Sequence, residues 1–317
     1  MTSLGAGAGV ALEARGLRRS YAGARGLDGV DLTLRRGEIH ALVGPNGAGK
    51  TSLIRALCGR LRLDAGEVRL LGADPREPAV RRRLGLVPQE IALYGELSVR
   101  ENLELCARLA GLQAARLPAA VASALDWIGL ADRGGSRVAA LSGGQKRRVN
   151  LAAGTLHAPE VLLLDEPTVG VDPAARERVH AMLRELRGRG LALLLATHDL
   201  DQAAELADRI GVLVDGRIQA EGSLAELVAA TFGGRREIGL RLAADPGPDA
   251  VRALEAEGLA AGGDRRDWAG PLAGEYEALA GLGRRLTARG VELCELRLRE
   301  PGLRGVFFRL AGREIDA

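Results

Sequence analysis

"GEIHALVGPNGAGKTSLIRAL" (residues 37–57) decides how this chain is read. Its first part, "GEIHALVG", is a short apolar run of the kind that forms a buried strand. Its last part has helical spacing, with Leu53, Ile54 and Leu57 in phase and Leu61 one turn further on. Between them lies "GPNGAGKT" (residues 44–51), a glycine-rich loop entered from a strand and left through a helix. Such a loop wraps backbone N–H groups around phosphate oxygens, and the positive end of the following helix adds to the attraction. Lys50 is placed to contact the terminal phosphates and the Thr51 hydroxyl to ligate Mg²⁺. The strand–loop–helix context separates this stretch from a chance glycine turn.

Outward from the loop, "VLLLDEP" (residues 161–167) and "LALLLATHD" (residues 191–199) are continuously apolar and end in polar residues. Runs of that kind suit central strands of a parallel sheet covered on both faces. "RRRLGLVPQ" (residues 81–89) reads as another strand ending in a loop. Open α/β sheets bind ligands at the carboxyl ends of their strands, so these ends nominate side chains. Asp165 is suited to hold Mg²⁺ through water, and Glu166, alternating to the other side, to polarise an attacking water. A neutral His198 is placed to hydrogen-bond a γ-phosphate and that water, and Gln89 to sense the metal or the water. Alone, an acidic pair at a strand end is commonly solvated and a single histidine commonly structural. The phosphate loop in the same chain reverses both readings.

"LSGGQKRR" (residues 141–148) is a second anion-binding pattern. Ser142 is a good N-cap for an amphipathic helix whose apolar set is Val149, Leu151, Ala152, Ala153 and Leu156. Gly143 and Gly144 clear the first turn of side chains, so an anion can reach the backbone. A polyphosphate already cradled by residues 44–51 has little need of a second cradle from the same subunit. The two patterns make sense together across a two-fold dimer. Each nucleotide is then held by the lysine loop of one copy and by Ser142, Gly143 and Gly144 of the other.

The 317 residues admit one large domain plus a small one, or two medium ones. An apolar fraction of 47% supports a real core, and 3% aromatics leave that core to Leu, Val, Ile and Ala. The net charge of +3 is small and forms no basic block, so nucleic acid is not expected as a partner. Cys58, Cys106 and Cys294 show neither zinc spacing nor a disulfide framework, which fits a reducing compartment. "MTSLGAGAGV" at the N-terminus lacks the regions of a secretory signal. No run of about 18 apolar residues is present to cross a membrane, so work at a membrane would go through a partner.

Residues 11–43 read as short strands, and residues 98–130 as mostly helical with Pro118 as the break. Residues 173–189 read as a helix ended near Gly190. "IGVLVDGRIQAEG" (residues 210–222) reads as a hairpin turning at Asp215-Gly216. After Thr231, "FGGRRE" reads as a linker into a small α+β appendage. "EIGLRLA" (residues 237–243) and "VELCELRLRE" (residues 291–300) are its strands, and Trp268 is expected in a loop. No internal repeat is evident.

The ordered set "GPNGAGKT", "VPQ", "LSGGQ", "VLLLDEPT", "VGVD" and "THD" resembles the nucleotide-binding domain of an ATP-binding cassette (ABC) protein, over about residues 10–225. The resemblance implies an α/β fold of the P-loop NTPase kind: a RecA-like parallel sheet core, an antiparallel β subdomain and an α-helical subdomain at about residues 92–155. It places the ATPase domain at residues 10–230 and a C-terminal α+β accessory domain at residues 231–317. ATP and Mg²⁺ are the implied cofactors. Tyr21 is implied to stack on adenine, and Gly44, Pro45, Asn46, Gly47, Ala48, Gly49, Lys50, Thr51 and Ser52 to hold the phosphates. Ser142, Gly143, Gly144 and Gln145 belong to the signature motif that contacts ATP. Glu166 is implied as catalytic base, His198 as switch histidine, Gln89 as the residue facing the transport partner, and Val169–Asp172 as the D-loop. Lys50, Glu166, His198 and Gln89 form the implied catalytic set, with Thr51, Gln89 and Asp165 around the metal. "TVGVDP" and the ending "EPGLRGVFFRLAGRE" resemble exporter ATPases of the ABC-2 kind, although "LRGVFFRLAG" departs from that subgroup's "LEDVFLxLTG".

The expected function is therefore the ATP-hydrolysing motor of a membrane exporter of a drug, lipid or polysaccharide-like cargo. It is expected to be homodimeric and held at the cytoplasmic face of the cell membrane by a separate transmembrane permease. In "EIALYGELSVRENL" (residues 90–103), Leu93, Tyr94 and Leu97 are either an exposed contact patch for that partner or part of the subunit's own core. An importer ATPase has the same chemistry and stays open as an alternative, because the membrane subunit sets direction. A soluble ABC ATPase acting on ribosomes or DNA is a further alternative. Against it stand the single cassette and the lack of heptads between Lys50 and Asp165.

Overall fold

The computed structural model describes residues 9–21, 24–262, 264–274 and 276–311. Most of the stretch read for a secretory signal, up to residue 8, and the end of the tail motif, from residue 312, lie outside them. The chain enters through β1 (Val10–Tyr21) and β2 (Ala24–Arg35), followed by β3 (Ile39–Val43), α1 (Lys50–Leu57) and β4 (Ala65–Leu70). β4 pairs with β1, giving an antiparallel sheet in the order β2-β1-β4. The strands expected to be short are 12 residues each in β1 and β2. Bulges between Ala14 and Leu17 and between Arg19 and Ser20 let the pairing continue through the bends.

Next come α2 (Pro78–Arg81), β5 (Leu84–Val87), α3 (Val99–Leu109), α4 (Leu117–Trp127) and α5 (Gly143–Thr155). The helical run breaks at residues 110–116, and Pro118 stands in the first turn of α4 rather than at the break. A missing N–H costs nothing there, since that group has no intrahelical acceptor. Capping boxes start α3 at Ser98 with Glu101 and α5 at Ser142 with Gln145.

β6 (Val161–Asp165), α6 (Pro173–Gly188), β7 (Ala192–Thr197), α7 (Leu200–Leu206), β8 (Arg209–Val214) and β9 (Arg217–Gly222) complete the central sheet, in the order β5-β6-β7-β3-β8-β9. The first five strands run parallel, and β9 returns antiparallel. Asp215 and Gly216 make the return with φ of 48° and 77°, the two positive values that a tight hairpin turn requires. Every residue of β3, β6 and β7 is buried. Along β6 the side chains alternate: Leu163 joins Leu42, Leu53 and Leu57 on the α1 side, while Leu162 and Leu164 join Val149 and Leu183 on the side of α5 and α6.

Register brings the loops together. Val43 pairs with Thr197, Asp165 with Ala196, and Val87 with Leu164. Neighbouring strands lie about 4.8 Å apart. The exits of β3, β7, β6 and β5 therefore present Gly44, His198, Glu166 and Pro88 along one edge.

After α8 (Leu224–Phe232) come β10 (Arg236–Leu242), α9 (Pro248–Ala256), β11 (Ala260–Ala261), β12 (Asp267–Leu272), α10 (Tyr276–Ala288) and β13 (Leu293–Arg299). This βαββαβ run forms an antiparallel sheet in the order β11-β12-β10-β13, a split βαβ arrangement. Ile238, Leu240, Leu254, Trp268 and Leu286 fill its core. The loop expectation for Trp268 is corrected: it lies in β12, 4% exposed, and its Nε1 donates to the Arg265 carbonyl at 3.0 Å. Gly270 and Pro271 weaken the local strand signal, and cross-strand pairing with β10 overrides it. The final helix, α11 (Leu303–Ala311), leaves this sheet and packs Val306 and Phe307 with Val212 of β8 and Leu227 of α8. No helix among the described residues is long and apolar enough to cross a membrane.

Replacing Trp268 by Ala should remove roughly 3–5 kcal/mol of local stability. Hydrogen exchange should then speed up in β10, β12 and β13 and leave β3, β6 and β7 protected.

Candidate functional site

At the end of β3 the chain turns through residues 44–49 before α1 begins. Gly49 has φ 109°, and a Cβ there would stand 2.6 Å from the Gly26 carbonyl oxygen. At Gly44 a Cβ would stand 2.3 Å from the Leu213 carbonyl oxygen. Both glycines are thus demanded by contacts with β2 and β8, as well as by the loop itself. The Ala48 N–H donates to the Pro45 carbonyl at 3.1 Å and closes the turn. Lys50 folds back along it: Nζ donates to the Gly44 carbonyl at 2.6 Å and to the Pro45 carbonyl at 3.3 Å, and lies 3.9 Å from Glu166 Oε1. Burial pushes the Lys50 ammonium down from its ordinary range, while Glu166 and Asp165 pull it back up.

The Thr51 hydroxyl donates to Asp165 Oδ2 at 3.1 Å. Burial pushes the Asp165 carboxyl up, against the hydrogen bond from Thr51 and the charge of Lys50. Glu166 follows with φ 48°, a left-handed conformation costly for a residue with a Cβ. Its N–H donates to the Ala196 carbonyl at 2.9 Å, which keeps this turn bound to β7. Glu166 is 5% exposed, with Oε1 2.8 Å from His198 Nδ1 and Oε2 accepting from the Thr197 hydroxyl at 3.4 Å. One general base candidate therefore touches an imidazole and lies close to an ammonium.

These groups line one cleft of about 380 Å³ together with Tyr21, Pro45, Asn46, Gly47, Gly49, Ser52 and Gln89. Tyr21 Oη and Ser52 Oγ lie 3.3 Å apart, and the Arg19 guanidinium sits 5.3 Å from the tyrosine ring centre. Gly26 and Val169 also line the cleft. Gly26 was not singled out in the sequence. A Cβ there would stand 2.6 Å from the Tyr21 ring, a contact across a hairpin that no motif announces. Gly44 and Ala48 support the loop from behind and do not line the cleft. The chemistry of the donor set fits a divalent cation: the Thr51 hydroxyl, the Asp165 carboxylate and the Gln89 amide are hard oxygen ligands facing one space.

The second anion pattern lies apart from this cleft. The Ser142 hydroxyl accepts from the Gln145 N–H at 3.3 Å, and Gln145 Oε1 accepts from the Ser142 N–H at 2.9 Å. Ser142 and Gly143 are exposed, but Gly144 is buried. A Cβ at Gly144 would stand 2.4 Å from Ala175 Cβ. Gly144 therefore also seats α5 against the start of α6. The patch after Gln89 also splits. Tyr94 is 60% exposed, Leu97 is half-buried, and Leu93 packs against the helical core.

The family model for the ABC transporter matches residues 27–169. The chain is similar to a daunorubicin resistance ATP-binding protein of Streptomyces coeruleorubidus, 44% identical over 96% of this chain and 97% of that one. It is also similar to the Nod factor export ATP-binding protein I of Paraburkholderia xenovorans, 39% identical over 96% of this chain and 98% of that one. Among solved structures, the ATP-binding subunit of an ABC transporter superposes with a TM-score of 0.63 at 31% identity, over 69% of this chain and 92% of that one.

Asp165 supplies a test of the cleft's electrostatics. Its native carboxyl titrates above its unfolded value, so the folded state binds the extra proton between the two. Stability then falls as pH rises through that window and stays lower above it. Asp165→Asn should raise the nucleotide-free melting temperature at pH 7 by about 2–4 °C and flatten that part of the pH–stability curve. The same variant should lose the added stabilisation that Mg²⁺ gives in the presence of ATP.

Proposed function

The chain belongs to the ABC transporter family, as an ATP-hydrolysing subunit of the exporter kind, and from that membership we propose how its cleft works. The observation that carries the reading is the contact of Glu166 with both His198 and Lys50 beside the Thr51–Asp165 pair. Tyr21 stacks on the adenine. The backbone N–H groups of Asn46, Gly47 and Gly49 and the Lys50 ammonium take the β- and γ-phosphates. Thr51, Asp165 and Gln89 hold Mg²⁺, which neutralises charge on the phosphate oxygens when bound. Glu166 orients the attacking water and accepts its proton. His198 exchanges its Nδ1 contact with Glu166 for an Nε2–H bond to the γ-phosphate. Lys50 exchanges its two loop carbonyls for developing phosphoryl charge.

Ser142 and Gly143 are exposed and outside their own chain's cleft, which supports a homodimer in which this motif covers the partner's nucleotide. A separate permease subunit holds the pair at the cytoplasmic face of the membrane. Relatives named for drug resistance and Nod factor export support export over import, and a drug, lipid or polysaccharide-like cargo. Residues 10–230 then form the motor, with a helical part at about 92–155, and residues 231–317 an accessory unit whose last helix returns to brace the motor.

Glu166→Gln should bind ATP as the unaltered chain does, while turnover falls about 10²–10⁴-fold and an ATP-bound dimer accumulates. Single-turnover kinetics and sedimentation read the two effects. Hydrolysis at the normal rate would remove Glu166 as the base.

A further inference from the structure

Arg147 lies on α5, two residues beyond Gln145, and is 8% exposed. A buried guanidinium ordinarily pairs with a carboxylate. Among the described residues this one makes no ion pair within contact distance. Its Nη1 donates to the Gln89 carbonyl and its Nη2 to the Val169 carbonyl at 3.2 Å. Burial pushes the group down and the nearby charge of Glu166 offsets it. Arg148 turns the other way and donates to the Ile128 carbonyl, inside the helical part of the chain.

The two acceptors of Arg147 belong to different segments. Gln89 follows β5 and Val169 follows the β6 turn, and both line the nucleotide cleft. The donor sits on the helix whose first turn carries Ser142 and Gly143. Arg147 itself does not line the cleft. A planar fork holding two carbonyls at once fixes orientation better than a single flexible ammonium. A displacement of the Gln89 or Val169 wall would therefore be transmitted to the anchor of α5.

We propose that Arg147 is a positioning residue that couples the nucleotide state of a subunit's own cleft to the orientation of its Ser142–Gln145 motif, the element offered to the partner's nucleotide. This rests on the two-copy reading above and adds the link inside each copy. Removing the link leaves the ATP contacts intact and loosens the placement of the motif. The loss therefore appears in closure and turnover rather than in nucleotide binding.

The test uses the full chain in the Glu166→Gln background, where closure is read without hydrolysis. Adding Arg147→Met should leave ATP binding at low protein concentration unchanged and raise the protein concentration for half-maximal dimerisation at saturating ATP about 10-fold. Arg147→Lys, whose ammonium reaches one carbonyl, should recover part of that shift. With Glu166 intact, Arg147→Met should lower kcat about 10-fold at nearly constant KM. Dimerisation and kcat at unaltered values in Arg147→Met would overturn the proposal. So would a parallel loss of ATP affinity and melting temperature in both variants, which is the mark of a merely structural arginine. If the Glu166→Gln chain alone fails to dimerise with ATP, the two-copy reading falls and takes this link with it. Dimerisation that is indifferent to Arg147 removes the link alone.

Discussion

The in-register ends of β3, β6 and β7 are the constraint on which the cleft depends. Val43 opposite Thr197 and Asp165 opposite Ala196 place the glycine loop, the acidic pair and His198 within side-chain reach. A shift of one residue in any of these strands would turn its side chains to the opposite face and carry its terminal group away from the others. The buried leucines of β6 and β7, sorted onto two faces, hold that register against slippage. Packing energy in the sheet is thereby converted into positional accuracy at its edge.

The same edge gathers buried charges in a small volume. Lys50, Asp165 and Glu166 are all buried, and His198 touches one of them. Burial works against the charged forms of Lys50 and Asp165, lowering one pKa and raising the other. Their mutual attraction and the bonds to Thr51 and the loop carbonyls offset part of that cost. The ATP phosphates that this family binds would add negative charge opposite Lys50.

Much of the motor was legible because its signals are local. Continuous apolar runs marked β6 and β7, glycine spacing marked the loop, and Ser142 marked the start of α5. What escaped the sequence depends on contacts between distant segments. Gly26 matters because the Arg19 carbonyl and the Tyr21 ring press on it. Gly144 matters because Ala175 lies against it. Arg147 looked like one charge in a basic helix until its two carbonyl partners, from two separate loops, were visible. Trp268 was misplaced because Gly270 and Pro271 hide the alternation of a strand that pairing with β10 enforces. The long bulged strands β1 and β2 were read as short pieces for a related reason: bulges interrupt the period of two while the hydrogen bonding continues.

The central claim is that a complete reaction centre forms only between two copies. Disulfide trapping between Asn46→Cys on one copy and Ser142→Cys on another, in a chain with its native cysteines replaced, tests it most directly. The account predicts a cross-linked dimer that forms with Mg²⁺ and ATP and not with Mg²⁺ and ADP. Full turnover by a chain that stays monomeric and never cross-links would contradict it.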